Sequence, residues 1–399
     1  MKKRIGMLLV IIVIIIAIII GVLFLKRKEV NKTNTTDNQG NTNSVNDLEK
    51  DNDIREKEYS EDINVVATLD DVIANNSAWC GTFQLVWNDM QNEVVKQDIV
   101  FQKQIELVEN LNKQTFKEDD ISDEYYYKNY GLMTLDLKEE IEKGIKEKFN
   151  EPSDILDNLD WSTVPQSDDG YTGNSRDYLF YVMLYREFKF KKEFEELGVD
   201  VFKGSEEEYE DIKYFGIEVG GEEELYKQVD VLYYNSKEDF AVILNAKEGD
   251  EIILAKGENG ATFGNIYDNV LLKSKEYDGK KSFTEDDFLK VPNLDLDILK
   301  KYEELIANGN PDKMFYNYKD DICEIREAIQ TIKLTLDKSG GKIKSEAAIV
   351  MQDTSVMLPE KVERRYFEFD SEFTIFLREG GKDLPYFAAN IDDITLFQE

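Results

Sequence analysis

Phe367-Glu368-Phe369-Asp370-Ser371-Glu372-Phe373-Thr374-Ile375-Phe376-Leu377-Arg378-Glu379 lies near the carboxyl end of the chain. Within it Phe373, Ile375 and Leu377 alternate with Thr374 and Arg378, the two-residue period of a β-strand. Ile332, Leu334 and Leu336 alternate in the same way with Lys333 and Thr335. Upstream, Val229 to Tyr234 and Phe240 to Leu244 flank Asn235-Ser236-Lys237-Glu238-Asp239, which predicts a hairpin. The apolar run from Tyr178 to Phe190 predicts a strand buried on both faces. The second half of the chain therefore reads mostly as antiparallel strand.

The part before it reads as helix. Thr68 and Asp71 have the spacing of a capping-box start. Trp79, Phe83, Val86, Trp87 and Met90 recur at helical spacing, as do Phe101, Ile105, Val108 and Leu111, then Leu137, Ile141, Ile145 and Phe149. The Trp and Phe stripe is read as a core face, not a ligand box. A short helix is expected over Ile298, Leu299, Tyr302, Leu305 and Ile306, stopping at Asn308-Gly309. Helices early and strands late give an α+β domain over residues 67–399.

The amino terminus is different. Lys2-Lys3-Arg4 precede the uncharged run Ile5 to Leu25, and Lys26-Arg27-Lys28 follow it. At 1.5 Å per residue that run spans about 30 Å, the thickness of a bilayer core. Residues 1–28 are therefore expected to be an uncleaved signal anchor, a transmembrane helix with basic flanks. A cleaved signal peptide and a buried core helix are the alternatives. Residues 29–66 are rich in Asn, Thr and Asp and are expected to be a disordered tether. Basic residues flank the run at both ends, so charge leaves the orientation near a tie. The cluster at the extreme start and the polar tether favour a single-pass plasma-membrane protein with its domain outside the cell.

Composition excludes more than it assigns. The 399 residues hold 83 acids against 49 bases, a net charge of −34, which argues against a nucleic-acid partner. There is no histidine, so Ser-His-Asp and Cys-His nucleophiles and histidine-held metals are excluded. Two cysteines, Cys80 and Cys323, cannot make a four-cysteine metal site, and they read as separate buried thiols in preference to a disulfide. Glu206-Glu207-Glu208 and Glu222-Glu223-Glu224 read as solvated surface. Asp295 and Asp297 could bind calcium, although no EF-hand loop is present. Gly257-Glu258-Asn259-Gly260 reads as a turn. No catalytic residue, cofactor or metal is expected.

The stretch 367–379 resembles the serpin pattern F-x-A-D-H-P-F-L-F-F-I-R-D, and Leu384 to Ile391 continues in step with it. There Ala389 stands for the family glycine and Asn390 for its arginine. Lys344-Ser345-Glu346-Ala347-Ala348 is similar to the family hinge G-T-E-A-A, and Met183 to Phe194 resembles A-I-Y-F-K-G-x-W-x-x-x-F. The resemblance covers roughly residues 178–391. The helical front is shorter than the family's and lacks its S-P-x-S-I signature.

The resemblance implies a protease inhibitor, or a non-inhibitory relative, whose exposed bait loop inserts as a strand into the central sheet after cleavage. It identifies Ser345, Glu346, Ala347 and Ala348 as hinge candidates, and it puts the scissile bond within Leu358, Pro359, Glu360 and Lys361. The implied partner is an extracellular serine or cysteine protease, and Lys361 suits a trypsin-like one. Insertion requires alternate residues to turn inward, so Ser345 would be followed by Ala347, Ile349, Met351, Asp353 and Ser355. Ile349 and Met351 are bulky, Asp353 is charged, and Gly340-Gly341-Lys342-Ile343 lengthens the hinge. A non-catalytic surface binding domain and an unrecognised hydrolase remain the readings from other classes.

Overall fold

A computed structural model of the chain describes residues 62–170, 177–342 and 364–398. The run 5–25, the hinge candidates Ser345, Glu346, Ala347 and Ala348, and the scissile candidates Leu358, Pro359, Glu360 and Lys361 lie outside the described residues. No helix among the described residues is long and apolar enough to cross a membrane.

The fold is α+β. β1 (Asn64–Val66) and β2 (Ser77–Cys80) come first, followed by helix α1 (Thr82–Asp89), which runs on as a π-helix over Met90–Val95. Helix α2 is Glu106–Asn112, β3 is Tyr126–Leu132 and α3 is Leu135–Phe149. The strands β4 (Tyr178–Leu184), β5 (Glu187–Lys189), β6 (Glu195–Lys203) and β7 (Glu208–Ile217) follow. β8 (Val229–Ser236) and β9 (Asp239–Asn245) form the expected hairpin, with a tighter turn than the sequence suggests. After β10 (Asp250–Lys256) comes α4 (Phe263–Glu276), then β11 (Phe288–Pro292) and β12 (Leu294–Lys301). The chain closes with β13 (Phe315–Tyr316), β14 (Ile322–Cys323), β15 (Ile329–Asp337), β16 (Gly340–Lys342), β17 (Tyr366–Glu368), β18 (Phe373–Glu379) and β19 (Phe387–Ile391).

The largest sheet has the order β1-β2-β19-β18-β10-β9-β8 and is antiparallel except at β1-β2. Its middle is buried on both faces, so Thr374 is as hidden as Ile375 and gives its hydroxyl proton to Asn390 Oδ1 at 2.8 Å. One face of β18 meets α4, where Phe376 packs against Phe263 and Tyr267. A second sheet runs β17-β11-β7-β6 and a third β12-β15-β16-β5.

Four expectations change. Thr68 and Asp71 make one half of a capping box, since Asp71 Oδ2 accepts from the Thr68 N–H at 2.8 Å, while the Thr68 hydroxyl accepts from the Asp70 N–H at 3.2 Å. No helix follows, because Val72 and Ile73 are drawn into pairing with Ala261 and Thr262. Trp79 lies on β2, not on the helix that holds Phe83 and Trp87, although all three are buried as read. The segment around Ile298 is strand, not helix, because Leu294, Leu296 and Ile298 alternate with Asp295 and Asp297 and pair with β15 along the whole of β12. Asp297 there faces Lys333 at 3.6 Å, which is an ion pair across two strands. β4 is not buried on both faces along its length, since Tyr178 is 43% exposed.

Candidate functional site

The third sheet contains a fork. β15 turns at Lys338-Ser339 into β16, which lies antiparallel between β15 and β5, so β15 and β5 run parallel on either side of it. The contacts on its two sides are Thr335↔Lys342↔Glu187, Leu336↔Gly341↔Phe188 and Asp337↔Gly340↔Lys189. Gly340–Lys342, read from sequence as extra hinge length, is thus a short strand paired on both edges.

Its glycines are required by close approach. A Cβ on Gly341 would lie 2.3 Å from the Phe188 ring, and one on Gly340, at φ +143°, would lie 2.3 Å from the Phe188 carbonyl oxygen. The Thr335 hydroxyl donates to the Lys342 carbonyl at 2.8 Å and ties β16 to β15 there.

Beyond Lys342 the two walls part. β4 continues one wall and pairs only with β3 among the described strands, while the other wall, Ile329 to Leu334, pairs with β12 alone. A cavity of about 1660 Å³ is lined by Tyr178 to Tyr185 on one side and Ile329 to Lys333 on the other. α1 lines its floor with Phe83, Val86 and Trp87. Outside, α3 covers the far face of β3 and β4, where Leu137, Ile141 and Ile145 pack with Tyr181.

The floor carries a buried polar network. Gln330, 3% exposed, donates through Nε2 to the Cys80 carbonyl at 3.0 Å and to Thr82 Oγ1 at 2.8 Å. The Tyr302 hydroxyl donates to Gln330 Oε1 at 2.8 Å, and its ring lies on Phe83. Burial pushes the Tyr302 phenol and the Cys80 thiol up from their ordinary values. Cys80 and Cys323 are both free thiols. Gln330 shares the parity of Ile332, Leu334 and Leu336, which is the sequence signal for an inward amide.

At the closed end, Arg186 joins its guanidinium to the buried Asp250 at 2.7 Å and lies 4.2 Å over the Tyr125 ring. Tyr386 donates to the other Asp250 oxygen at 3.1 Å. Sequence reasoning missed this cluster too, because its members are scattered along the chain.

Among the described residues no group of three or more acids or cysteines gathers as a metal site. Gly257 to Gly260 does sit between a strand and a helix, β10 and α4, but its Glu258 is buried against Lys273 and Tyr233. A carboxylate there opposes phosphate. Among the described strands, β4 and the Ile329 to Leu334 part of β15 border one cavity without pairing with each other, and what strand edges take is another strand.

No family model matches the chain, and no curated protein matches it. Among solved structures it is similar to thyroxine-binding globulin in complex with thyroxine, at 11% identity and TM-score 0.45 over 82% of this chain and 94% of that one. It is also similar to Serpin48 of the insect Tenebrio molitor, described as highly specific, at 11% identity and TM-score 0.41 over 80% and 92%. A third similar structure is the Manduca sexta serine protease inhibitor Serpin-12, at 11% identity and TM-score 0.45 over 82% of this chain and 95% of that one.

Proposed function

We propose that this chain is a serpin-like protein whose cavity between β4 and β15 is a slot for a strand from the chain's own residues 343–363. The observation that carries this reading is β16. It already lies between the two walls at the closed end, and it leads directly into the segment that the sequence resemblance identifies as hinge and bait loop. An inserted strand that kept the register of β16 would bring Ser345 beside Ile332 and Leu184, and Ala347 beside Gln330 and Val182. All four neighbours are buried, so small side chains suit these positions. On the same register Ile349 would fall beside Ala328 and Phe180. The chain needs no catalytic residue of its own, because an attacking serine or cysteine protease supplies the chemistry.

Cutting the loop within Leu358 to Lys361, followed by a thermal melt, tests the slot. A filled slot adds a strand paired on both edges and should raise the melting temperature by tens of degrees, at roughly 2–4 °C per kcal/mol. A nicked loop that stays outside leaves stability equal or lower, which would turn the reading toward a surface binding domain without a protease target.

The proposal also takes residues 1–28 as an anchor and 29–61 as a tether holding the acidic domain outside the plasma membrane; the expected tether ends earlier than residue 66 because Asn64–Val66 form β1 of the largest sheet and Val65 and Val66 are buried. Replacing Ile14 and Ile15 with Asp should release the chain from the membrane fraction, since each central charge costs about 2.5–3.5 kcal/mol. A chain that still pellets after an alkaline wash is not anchored this way.

A further inference from the structure

The two walls of the cavity belong to different parts of the core. β4 packs with α3, in the cluster that joins Tyr181 to Leu137, Ile141 and Ile145. The chain leading into β15 is tied instead to the segment after β12, where the Tyr302 and Ala307 N–H groups donate to the Ala328 and Ile325 carbonyls. At the closed end β16 bridges the walls, one strand spacing of about 4.7–4.9 Å from each. At the mouth no strand of the described residues lies between them.

An ion pair crosses the mouth. Arg326 leads into β15 and Asp177 leads into β4, and Arg326 Nη1 lies 3.1 Å from one Asp177 oxygen and 3.2 Å from the other. Both residues line the cavity. Each is rooted in its own wall. The Asp177 carbonyl accepts from the Met133 N–H at 2.8 Å, next to Thr134, which caps α3. Arg326 stands between Ile325 and Ala328, whose carbonyls are held as described, and its Nε also approaches Glu324 at 3.5 Å.

We propose that Arg326 and Asp177 form a salt-sensitive latch that holds the two walls together at the mouth and lets them part when it breaks. This goes beyond the strand-slot reading, because it concerns the walls themselves before anything enters. A strand that filled the cavity to its mouth would have to displace the pair. Arg326 is 62% exposed and Asp177 38%, so the latch is weak and open to screening by salt. It slows opening without preventing it.

Cys80 reports the opening. Its thiol is free and buried, and the residue lines the cavity. In the full chain carrying Cys323→Ser it is the only thiol left, so its rate of alkylation reads how readily the cavity opens. Four versions are compared at one pH: this parent, Arg326→Gln, Asp177→Asn, and both together. Arg326→Gln also releases Glu324, whereas Asp177→Asn leaves that contact in place. Each single change should speed alkylation roughly two- to fivefold, and the double change no more than the larger single. About 1 M sodium chloride, where the screening length is about 3 Å, should speed the parent and leave the double variant unchanged. A thermal melt checks that the variants are folded, and the salt arm on the parent decides even without them. Equal rates in all four versions, single effects that multiply in the double variant, or a parent indifferent to salt would each overturn the latch. The strand-slot reading stands or falls separately, on its own comparison of cut and intact chains.

Discussion

Gln330 has more to satisfy than any other side chain along the slot. Its amide answers the Cys80 carbonyl, the Thr82 hydroxyl and the Tyr302 hydroxyl at once, with almost no access to water. Leucine at this position would keep the volume and leave those groups without their partner. A buried polar group left unmade costs about 1–3 kcal/mol, so Gln330→Leu should lower the unfolding free energy by at least that much in a urea titration. Glutamate keeps the shape but brings a charge facing two acceptors, and Gln330→Glu should be the more damaging change at neutral pH. An unaltered midpoint in both variants would mean that the network does not exist.

β16 is the element that joins fold to proposed function, and Gly340 and Gly341 let it approach Phe188 closely. Gly341→Val should force the strand away from Phe188, with an overpacking cost of about 1–3 kcal/mol. Hydrogen exchange would then show faster loss of protection at Gly341 and Lys342 than elsewhere. Unchanged protection there would contradict the close approach. Elements differed in how well the sequence announced them. Leu137, Ile141, Ile145 and Phe149 repeat over four turns, and α3 forms as read. The β8–β9 hairpin is equally local and equally legible. Ile298 belongs to two periods at once, helical with Tyr302 and Leu305 and alternating with Leu294 and Leu296. Pairing with β15, far along the chain, decides between them. β1 and β2 are too short to show a period, and their place at the edge of the large sheet is set by β19. α4 carried a readable stripe in Phe263, Ile266, Tyr267 and Val270, but a polar outer face and the preceding Gly turn masked it. The slot could not be read at all, since it is a gap between β4 and β15, strands that come together only in the fold.

Over the whole molecule, the absence of histidine and the abundance of buried phenols shape the response to pH. With no histidine, no side chain has an ordinary charge change between about pH 6 and 8, and stability should be nearly flat there. The alkaline side is different. Tyr125, Tyr214, Tyr233, Tyr302 and Tyr386 are almost wholly buried. Burial, reinforced by nearby carboxylates, pushes each above the ordinary phenol value of 10.0. In the unfolded chain the same groups ionise near pH 10. The sign follows: each folded phenol holds its proton longer, so its contribution is intact below pH 10 and is lost as pH rises beyond it, at about 1.4 kcal/mol per group and pH unit. Tyr209, half-buried, is pushed up to about 12 by burial and by its bond to Asp393, and its share is lost between pH 10 and that value. Unfolding should therefore be cooperative above pH 10. Tyrosinate absorbance and far-ultraviolet circular dichroism recorded on one titration should show two groups of tyrosines. The exposed ones ionise while the fold persists, and the buried ones ionise only as the dichroism collapses. If all 21 tyrosines titrate smoothly near pH 10 with the dichroism intact, the five phenols are not held in the core.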